Sequence, residues 1–288
     1  MQKVRFSATI KFKKHMNILV IGCGYLGREI ISSFTKKGHF ITVATKSTKK
    51  LKECKNAQKA VILNPKDETG LFQLVENNEL IILSIVLEQP EDYEGDYLII
   101  ARNLKKIAPD ISSAKTVIFT SNTTVYGDHK GKWVDEFSDL NPLTDEAQNL
   151  IEAEKILLSL TNLNWHVGIM RLAEIYGDNL EISQKIQNLH DNTYPGNGQN
   201  FTNMVHINDV LEGLSYLISH NLYGVYNIAD DDHPSRKELY TMTCEKLNLT
   251  PIKWDTLHKG LCQGNRRVSN YKLKSTGFDF VYPKRVIS

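Results

Sequence analysis

Residues 17–27 read Asn-Ile-Leu-Val-Ile-Gly-Cys-Gly-Tyr-Leu-Gly, an apolar run that leads directly into three glycines, Gly22, Gly24 and Gly27. The apolar run is typical of a buried parallel strand, and the spacing G-x-G-x-x-G between a strand and a helix is typical of a dinucleotide-binding turn. In such turns the first glycine permits the sharp bend, the second lets the backbone approach a pyrophosphate, and the third allows the helix to pack closely on the strand. The stretch therefore predicts a dinucleotide site at the start of an α/β fold, with a tight structural turn as the alternative.

Downstream of this turn, short apolar runs rich in Val and Ile alternate with longer amphipathic stretches. This alternation is the pattern of repeated strand-helix-strand units around a parallel sheet. We therefore predict an α/β protein with a Rossmann-like doubly wound parallel sheet. The predicted strands are 17–21, 40–45, 60–63, 80–84, 116–120 and 165–171, and the predicted helices are 25–37, 47–54, 93–107 and 145–160.

The chain divides into three segments by composition. Residues 1–15 are a basic extension with five cations. Its short length and the lack of an amphipathic pattern favour a disordered arm or sequence upstream of a natural start at Met16 over a transit peptide. Residues 16–171 carry the regular alternation and are predicted to form the dinucleotide-binding region. Gly and Asn clusters loosen the pattern after Arg171, so residues 172–288 are expected to form mostly a small C-terminal substrate lobe. Residues 203–229, which contain a predicted helix at 210–218 and a predicted strand at 225–228, are expected to return to the Rossmann core.

The composition excludes several classes of protein. With 41% hydrophobic and 24% charged residues the chain is an ordinary globular sequence, and its apolar runs are shorter than the roughly 18 residues of a membrane-spanning helix. Without the five cations of the extension the net charge of +2 falls to about −3, so neither a nucleic acid nor a membrane is an expected partner. The 4 cysteines form no C-x-x-C pair, which predicts free thiols and a cytoplasmic location. A small-molecule substrate is the expected partner, and a homodimer is left open.

The residues after the second predicted strand indicate which dinucleotide binds. An Asp or Glu about 20 residues past the glycines would accept hydrogen bonds from the adenosine 2′-hydroxyl, whereas cations accommodate a 2′-phosphate. Here Lys46 and Ser47 follow the strand and no acid occurs before Glu53, which favours NADP(H), with NAD(H) as the alternative. Ser47 is also a candidate cap for a solvated basic helix, and both interpretations are compatible. The predicted cofactor-binding residues are Gly22, Cys23, Gly24, Tyr25, Leu26, Gly27, Lys46, Ser47 and Ser84.

Five further segments follow in an order that is typical of one superfamily. They are residues 119–127 (Phe-Thr-Ser-Asn-Thr-Thr-Val-Tyr-Gly), Asn141-Pro142, residues 171–177 (Arg-Leu-Ala-Glu-Ile-Tyr-Gly), residues 203–210 and residues 226–230. Together with the glycine turn, the chain from Met16 onward resembles the extended short-chain dehydrogenase/reductase superfamily, in its NAD-dependent epimerase/dehydratase branch. The resemblance implies an NAD(P) cofactor and chemistry at a hydroxyl or keto group, with a nucleotide-linked sugar as one candidate substrate.

The chain departs from that family at the positions that carry its chemistry. The family uses a Ser or Thr, a Tyr that exchanges a proton with the substrate, and a Lys four residues later that lowers the pKa of the Tyr. The resemblance puts Asn122, Glu146 and Leu150 at these three positions. In addition, Ile21 stands where many members have a first glycine. The resemblance therefore implies an atypical member of the superfamily, for which cofactor binding is a firmer inference than hydride transfer.

The remaining candidates for catalysis are Asn122, Thr123, Tyr126 and Glu146, with Glu174 and His206 nearby in the expected site. Glu146 is the expected acid or base, although a carboxylate in the first turn of a helix is also stabilised there by the helix dipole without any catalytic role. Lys130 lies four residues after Tyr126, but the intervening Gly-Asp pair favours a turn over a helix. No spacing suggests a metal site. The alternative function is a non-catalytic NADP(H)-binding sensor or scaffold.

Overall fold

The computed structural model describes residues 15–85, 95–189, 193–258 and 264–287. The strands are β1 (Asn17–Ile21), β2 (Phe40–Thr45), β3 (Lys59–Ile62), β4 (Leu80–Leu83), β5 (Thr116–Asn122), β6 (Trp133–Val134), β7 (His166–Leu172), β8 (Glu174–Tyr176), β9 (Thr193–Pro195), β10 (Met204–His206), β11 (Gly224–Ile228), β12 (Lys253–Asp255) and β13 (Arg267–Val268). The helices are α1 (Tyr25–Lys36), α2 (Thr48–Glu53), α3 (Glu68–Glu76), α4 (Gly95–Ile107), α5 (Asp145–Leu158), α6 (Ile182–Gln187), α7 (Ile207–Ser219), α8 (Arg236–Leu247) and α9 (Tyr271–Ser275).

A parallel sheet forms the centre of the fold. Over the described residues its seven strands follow the order β11-β7-β5-β4-β1-β2-β3. From β1 the chain first adds β2 and β3 on one side of the sheet, and then β4, β5, β7 and β11 on the other side. The direction in which strands are added therefore reverses between β1 and β4. In the register, Ile21 lies level with Ala44 of β2 and with Leu83 of β4. The residues that follow these three strands consequently meet at one edge, which is where ligands bind in doubly wound sheets.

Helices cover the sheet in two layers, as a doubly wound fold requires. Helix α4 contacts both α3 and α5, whereas α1 contacts α7. The strands in the middle of the sheet are apolar on both faces because helices cover both faces of the sheet. In β4, for example, all four residues are buried. The predicted Rossmann-like α/β fold is thus confirmed.

The predicted elements agree with the structure except in a few places. Strand β5 continues to Asn122, two residues beyond its predicted end, and α5 gives way to a 3₁₀ segment after Leu158. Helices α3, α6, α8 and α9 are not among the predicted elements. In α3 the buried residues have helical spacing, and the Asp67 side chain caps the helix by accepting from Gly70 N at 2.9 Å. Residues 1–14 of the basic extension and the predicted start of helix 93–107 lie outside the described residues.

The C-terminal half contributes a second, smaller apolar cluster. It includes Tyr176, Ile186, Leu239 and Cys244, and α6 packs on α8 within it. Strand β11 leaves this region and pairs with β7 in the central sheet. The division into a Rossmann region and a substrate lobe stays a prediction. None of the helices in the described ranges has both the length and the apolar character needed to cross a membrane.

Candidate functional site

The glycine turn after β1 has no room for side chains at two of its three glycines. Gly22 has φ +109°, and a Cβ on it would lie 2.0 Å from the carbonyl oxygen of Ser84. A Cβ on Gly27 would lie 2.3 Å from the carbonyl oxygen of Gly22, so this glycine allows α1 to pack against the turn. Gly24 is the N-cap of α1. The backbone N–H groups of the first turn of α1, which starts here, therefore have no hydrogen-bond acceptors within the helix.

A cleft opens beside the turn, at the carboxyl ends of β1, β2 and β4. Because Gly24 lines the cleft and precedes α1, a phosphate in this space would meet a helix N-terminus with no side chain in the way. The arrangement fits the pyrophosphate of a dinucleotide. The residues predicted to bind the cofactor that line the cleft are Gly22, Cys23, Gly24, Lys46 and Ser84.

The structure gives the other predicted cofactor residues contacts of their own. Leu26 belongs to the buried core. The Ser47 hydroxyl caps α2 by accepting from the backbone N–H of Lys50 at 3.2 Å, as the capping interpretation of this serine expects. Tyr25 points away from the turn toward the segment after β8, where its hydroxyl lies 2.8 Å from the carbonyl of Asp178. Their roles toward a cofactor stay predictions.

Lys46 lies at the edge of the cleft, and it is paired with an acid. Its Nζ is 2.7 Å from Oδ2 of Asp96, which lies in the first turn of α4 and lines the same cleft. The sequence has no acid between the end of β2 and Glu53. Asp96 reaches the cleft from a different element, and no local pattern marks it. The cleft therefore contains a carboxylate, although β2 is not followed by one.

A cysteine of the cleft is joined to a second cysteine, which makes the expectation of free thiols wrong for both. Cys23 of the glycine turn forms a disulfide with Cys54, the residue that ends α2. The two residues are 31 apart in sequence, and β1 and β2, which precede the glycine turn and α2, are paired in the sheet. Cys244 is a buried free thiol, and Cys262 lies outside the described residues. The disulfide links the turn directly to the end of α2.

Asn122 and Thr123 lie where β5 ends and line a second cleft. The Asn122 side chain accepts a hydrogen bond from the backbone N–H of Thr124 at 2.8 Å, which begins a single 3₁₀ turn. Glu174 also lines this cleft, and its carboxylate pairs with Lys185. The structure thus brings Asn122, Thr123 and Glu174 together, as the sequence predicts for one site.

Tyr126 is buried within a polar network rather than at a cleft. Its side chain is 0% exposed, its hydroxyl donates to Asn227 Oδ1 at 2.7 Å, and it accepts from Arg171 at 3.0 Å. Arg171 in turn forms a buried ion pair with Glu154 at 2.7 Å. Burial raises the pKa of Tyr126 to about 12, so the phenol stays protonated at neutral pH. Lys130 is not on a helix with Tyr126, because the 3₁₀ turn ends at Tyr126.

Glu146 and Leu150 lie on one face of α5, but only the first is accessible. Glu146 is exposed in the first turn of the helix, and its backbone carbonyl accepts a hydrogen bond from the buried Tyr97 hydroxyl at 3.2 Å. Leu150 is 6% exposed and belongs to the apolar core. Glu146 is not among the residues that line the second cleft, whereas Asn122 and Thr123 are. Its catalytic role stays a prediction.

His206 is buried, and its imidazole contacts other residues of the fold. It is 8% exposed, its Nδ1 accepts from the backbone N–H of Asn208 at 3.2 Å, and its ring stacks on Tyr282 at 3.8 Å between centroids. These contacts fix the start of α7. In the described part of the chain, no group of three or more His, Cys, Asp or Glu side chains is placed to hold a metal ion.

Sequence reasoning missed two arginines of the second cleft. Arg266 is 6% exposed and donates to the carbonyl of Gly127 at 2.9 Å, and Arg236 lines the same cleft from the start of α8. Burial lowers the pKa of Arg266 to about 10, which leaves its guanidinium charged at neutral pH. Both arginines come from the C-terminal region, where Gly and Asn clusters hide any periodic pattern. The cleft therefore carries two guanidinium groups in addition to the Glu174 carboxylate, which is paired with Lys185.

Comparisons with known proteins agree with this geometry. Residues 18–229 match the profile of the NAD dependent epimerase/dehydratase family. Over 290 aligned residues the chain is 28% identical to Protein YeeZ of Escherichia coli (strain K12), covering 94% of this chain and 97% of YeeZ. A functionally unknown conserved protein from Silicibacter pomeroyi has the same fold, with a TM-score of 0.75 at 20% identity over 93% of this chain and 95% of that one.

A further solved structure with this fold contains a cofactor. DesIV, a dTDP-glucose 4,6-dehydratase from Streptomyces venezuelae solved with NAD bound, has a TM-score of 0.75 at 16% identity over 94% of this chain and 92% of DesIV. At such low identities these structures establish the fold alone. The family profile, in contrast, spans the glycine turn, the central sheet and β11. The chain belongs to the NAD-dependent epimerase/dehydratase family.

Proposed function

We propose that this protein binds NADP(H) at the glycine turn and acts on a hydroxyl or keto group of a small anionic substrate, such as a nucleotide-linked sugar, in the second cleft. The observation that carries the proposal is the turn itself. Gly22 and Gly27 are packed so closely that side chains are excluded, while Gly24 opens onto the cleft at the N-terminus of α1. A turn of this shape suits a pyrophosphate because backbone N–H groups bind its charge.

The choice of NADP(H) over NAD(H) is supported by the cations of the first cleft. Lys46 and Lys50 both line it, and both are suited to a 2′-phosphate. The family as a whole is named for NAD, and DesIV was solved with NAD, so the preference is a property we assign to this chain's own lysines. Calorimetry with NADPH and NADH on the wild-type protein measures it directly.

For the chemistry, a bound nicotinamide would supply the hydride acceptor or donor. Asn122 and Thr123 would donate hydrogen bonds to the substrate oxygen. Glu146, which the resemblance puts at the family's tyrosine position, lies outside the lining of the second cleft, so it would take or return the proton from a bound substrate that extends from the cleft to the first turn of α5. Tyr126 completes the predicted set, and we assign it a supporting role because its hydroxyl is held by Asn227 and Arg171. A base close to the departing proton is needed for any oxidation of a hydroxyl group.

An anionic substrate is supported by Arg236 and Arg266. Both guanidinium groups line the second cleft, and the burial of Arg266 strengthens its attraction for an anion because little solvent screens it. A nucleoside diphosphate carries the charge that would match them. The cytoplasmic location and the homodimer stay predictions of the sequence.

The test is a screen for hydride transfer with purified protein. NADPH absorbance is followed with keto sugars linked to nucleoside diphosphates, and NADP⁺ reduction is followed with the corresponding alcohols. Turnover that is lost in Arg266→Leu, with NADPH affinity unchanged, is the expected result. Turnover only on uncharged substrates, with Arg266→Leu equal to wild type, would contradict the assignment of the second cleft.

A second function, a non-catalytic NADP(H) sensor or scaffold, is favoured by one observation. Leu150 occupies the family's lysine position and is buried, so nothing at that position can lower the pKa of a neighbouring base or hold a ribose. Tight NADPH binding without turnover on any substrate, together with a changed affinity for a partner protein, would decide for the sensor.

A further inference from the structure

The first cleft contains an acidic residue that faces the lysine expected to bind a phosphate. Asp96, in the first turn of α4, lies 2.7 Å from the Nζ of Lys46, which follows β2. Both residues line the cleft that also contains Gly22 and Gly24. The pair therefore forms part of the wall against which a dinucleotide would bind.

The pair is partly shielded from water. The Lys46 side chain is 38% exposed and that of Asp96 is 20% exposed. At this exposure the attraction between the two charges is weakened by solvent but not cancelled, and it exceeds that of a fully exposed pair. Lys46 thus already has a carboxylate partner before any ligand binds.

The two cofactors would experience this pair differently. A 2′-phosphate that binds Lys46 must replace Asp96 as its partner, and it must also approach the carboxylate of Asp96, which repels it. A ribose with a free 2′-hydroxyl carries no charge, so it leaves the pair intact and can donate a hydrogen bond to the carboxylate. Asp96 therefore opposes one dinucleotide and tolerates the other.

We propose that Asp96 is a specificity-determining residue, which limits the affinity for NADP(H) by competing with the 2′-phosphate for Lys46. The inference rests on the proposed function of the cleft as a dinucleotide site. It assigns a role to a residue on α4, away from the end of β2 where discrimination is ordinarily sought. Lys50, which lines the same cleft, supplies a second cation for the phosphate after the exchange.

The experiment compares wild type, Asp96→Asn and a matched control by titration calorimetry. Asparagine keeps the shape of the aspartate and removes its charge. The control is Glu68→Gln, which breaks the pair between Glu68 and Lys106 on α3 and α4, where neither residue lines the cleft. NADPH and NADH are titrated in parallel, together with adenosine 2′,5′-bisphosphate and 5′-AMP, which isolate the adenosine end of each cofactor.

The expected result is a selective gain. Asp96→Asn should bind NADPH and adenosine 2′,5′-bisphosphate about tenfold more tightly, with NADH and 5′-AMP within about twofold of wild type, because releasing one charge partner changes a charge-assisted contact by about that factor. Glu68→Gln should leave all four affinities unchanged. In the double variant Asp96→Asn/Lys46→Met the gain for NADPH should vanish, because the lysine that the substitution releases is gone.

Other outcomes overturn the inference. Equal changes in NADPH and NADH affinity would mean that the pair only fixes α4 to β2, and weaker NADPH binding would mean that Asp96 holds Lys46 in place for the phosphate. In both cases the dinucleotide site itself stands. If the wild type binds neither dinucleotide, the proposed function fails and the role of Asp96 fails with it.

Discussion

The hydroxyl of Tyr25 lies 2.8 Å from the backbone carbonyl of Asp178, and this contact ties the glycine turn to the segment that follows β8. The carbonyl of Gly177 lies 3.1 Å from the same hydroxyl. Burial is the main cause that raises the pKa of Tyr25 to about 12, so the hydroxyl remains a donor over the whole neutral range. The turn proposed to hold the cofactor is thus braced by a region that lies after the Rossmann repeats in sequence.

Removing the Tyr25 hydroxyl tests this brace. We expect Tyr25→Phe to lower the free energy of unfolding by about 1 kcal/mol, the net contribution of one hydrogen bond, and to weaken NADPH binding severalfold because the turn is less well held. Denaturant unfolding and calorimetry measure the two effects. Tyr271→Phe is the control, since Tyr271 is 76% exposed and lies on α9. Equal behaviour of the two variants would show that the contact holds nothing.

The glycine turn makes a direct prediction about binding. In Gly24→Val a branched side chain would occupy the space where the pyrophosphate must approach, so we expect binding of both NADPH and NADH to fall below detection in a protein that still folds. Gly213→Ala on α7 is the control, because its added Cβ meets only ordinary contacts at 3.8 Å or more. Circular dichroism establishes folding and calorimetry the affinities. Unchanged affinity in a folded Gly24→Val protein would reduce the motif to a structural turn.

The sequence predicts an element of the fold well where the residues of that element alone determine its structure. The apolar run 17–21 and the glycines after it predicted β1 and the turn because burial on both faces and the need for positive φ at Gly22 act locally. Asp96 and Arg266 could not be found this way. Each reaches its cleft from an element far away in sequence, and a lone charged residue on a helix or loop looks like any solvated one. The missing information is tertiary.

The same limit explains the two joined cysteines, and it leads to a prediction about stability. A disulfide that closes a loop of about 30 residues stabilises a fold by roughly 2 to 4 kcal/mol. We expect Cys54→Ser, or reduction of the wild type with a dithiol, to lower the melting temperature by several degrees. Cys244→Ser alone should not lower the melting temperature in the way that reduction of the wild type does, because the Cys244 thiol is not part of the disulfide. Alkylation of native Cys23 and Cys54 under non-reducing conditions, detected by mass spectrometry, would show that the pair is not formed in solution.

Cofactor choice is tested at Lys46. Replacement of this lysine in Lys46→Asp places two carboxylates side by side in the cleft, with Asp96 as the second. We expect NADPH binding to weaken tenfold to a hundredfold, since a charge-assisted contact of about 1.5 to 3 kcal/mol is replaced by repulsion, while NADH is tolerated and the preference reverses. Lys106→Asp is the control, because Lys106 pairs with Glu68 and neither residue lines the cleft. A wild-type protein that already prefers NADH would make the assignment of Lys46 wrong.

The last prediction concerns which residue exchanges the proton. Tyr126 is enclosed with its hydroxyl held between Asn227 and Arg171, so it is not placed to reach a substrate. Lys130 lies beyond the end of the 3₁₀ turn and therefore cannot act with Tyr126 as a helical pair. We therefore expect Tyr126→Phe and Lys130→Ala to retain activity within about tenfold, although Tyr126→Phe should lose roughly 1 to 3 kcal/mol of stability because it leaves buried partners unsatisfied.

Glu146→Gln should behave in the opposite way, with stability preserved and kcat reduced by about 10² to 10⁴, the usual contribution of a general base. Glutamine keeps the size of the side chain and can still lie in the first turn of α5, so loss of kcat without loss of folding separates catalysis from helix stabilisation. Asp145→Asn, the neighbouring acid in the same turn, is the matched control and should keep its kcat. A large loss of kcat in Tyr126→Phe, with Glu146→Gln near wild type, would instead require the buried tyrosine to become accessible during turnover and would overturn the assignment of Glu146.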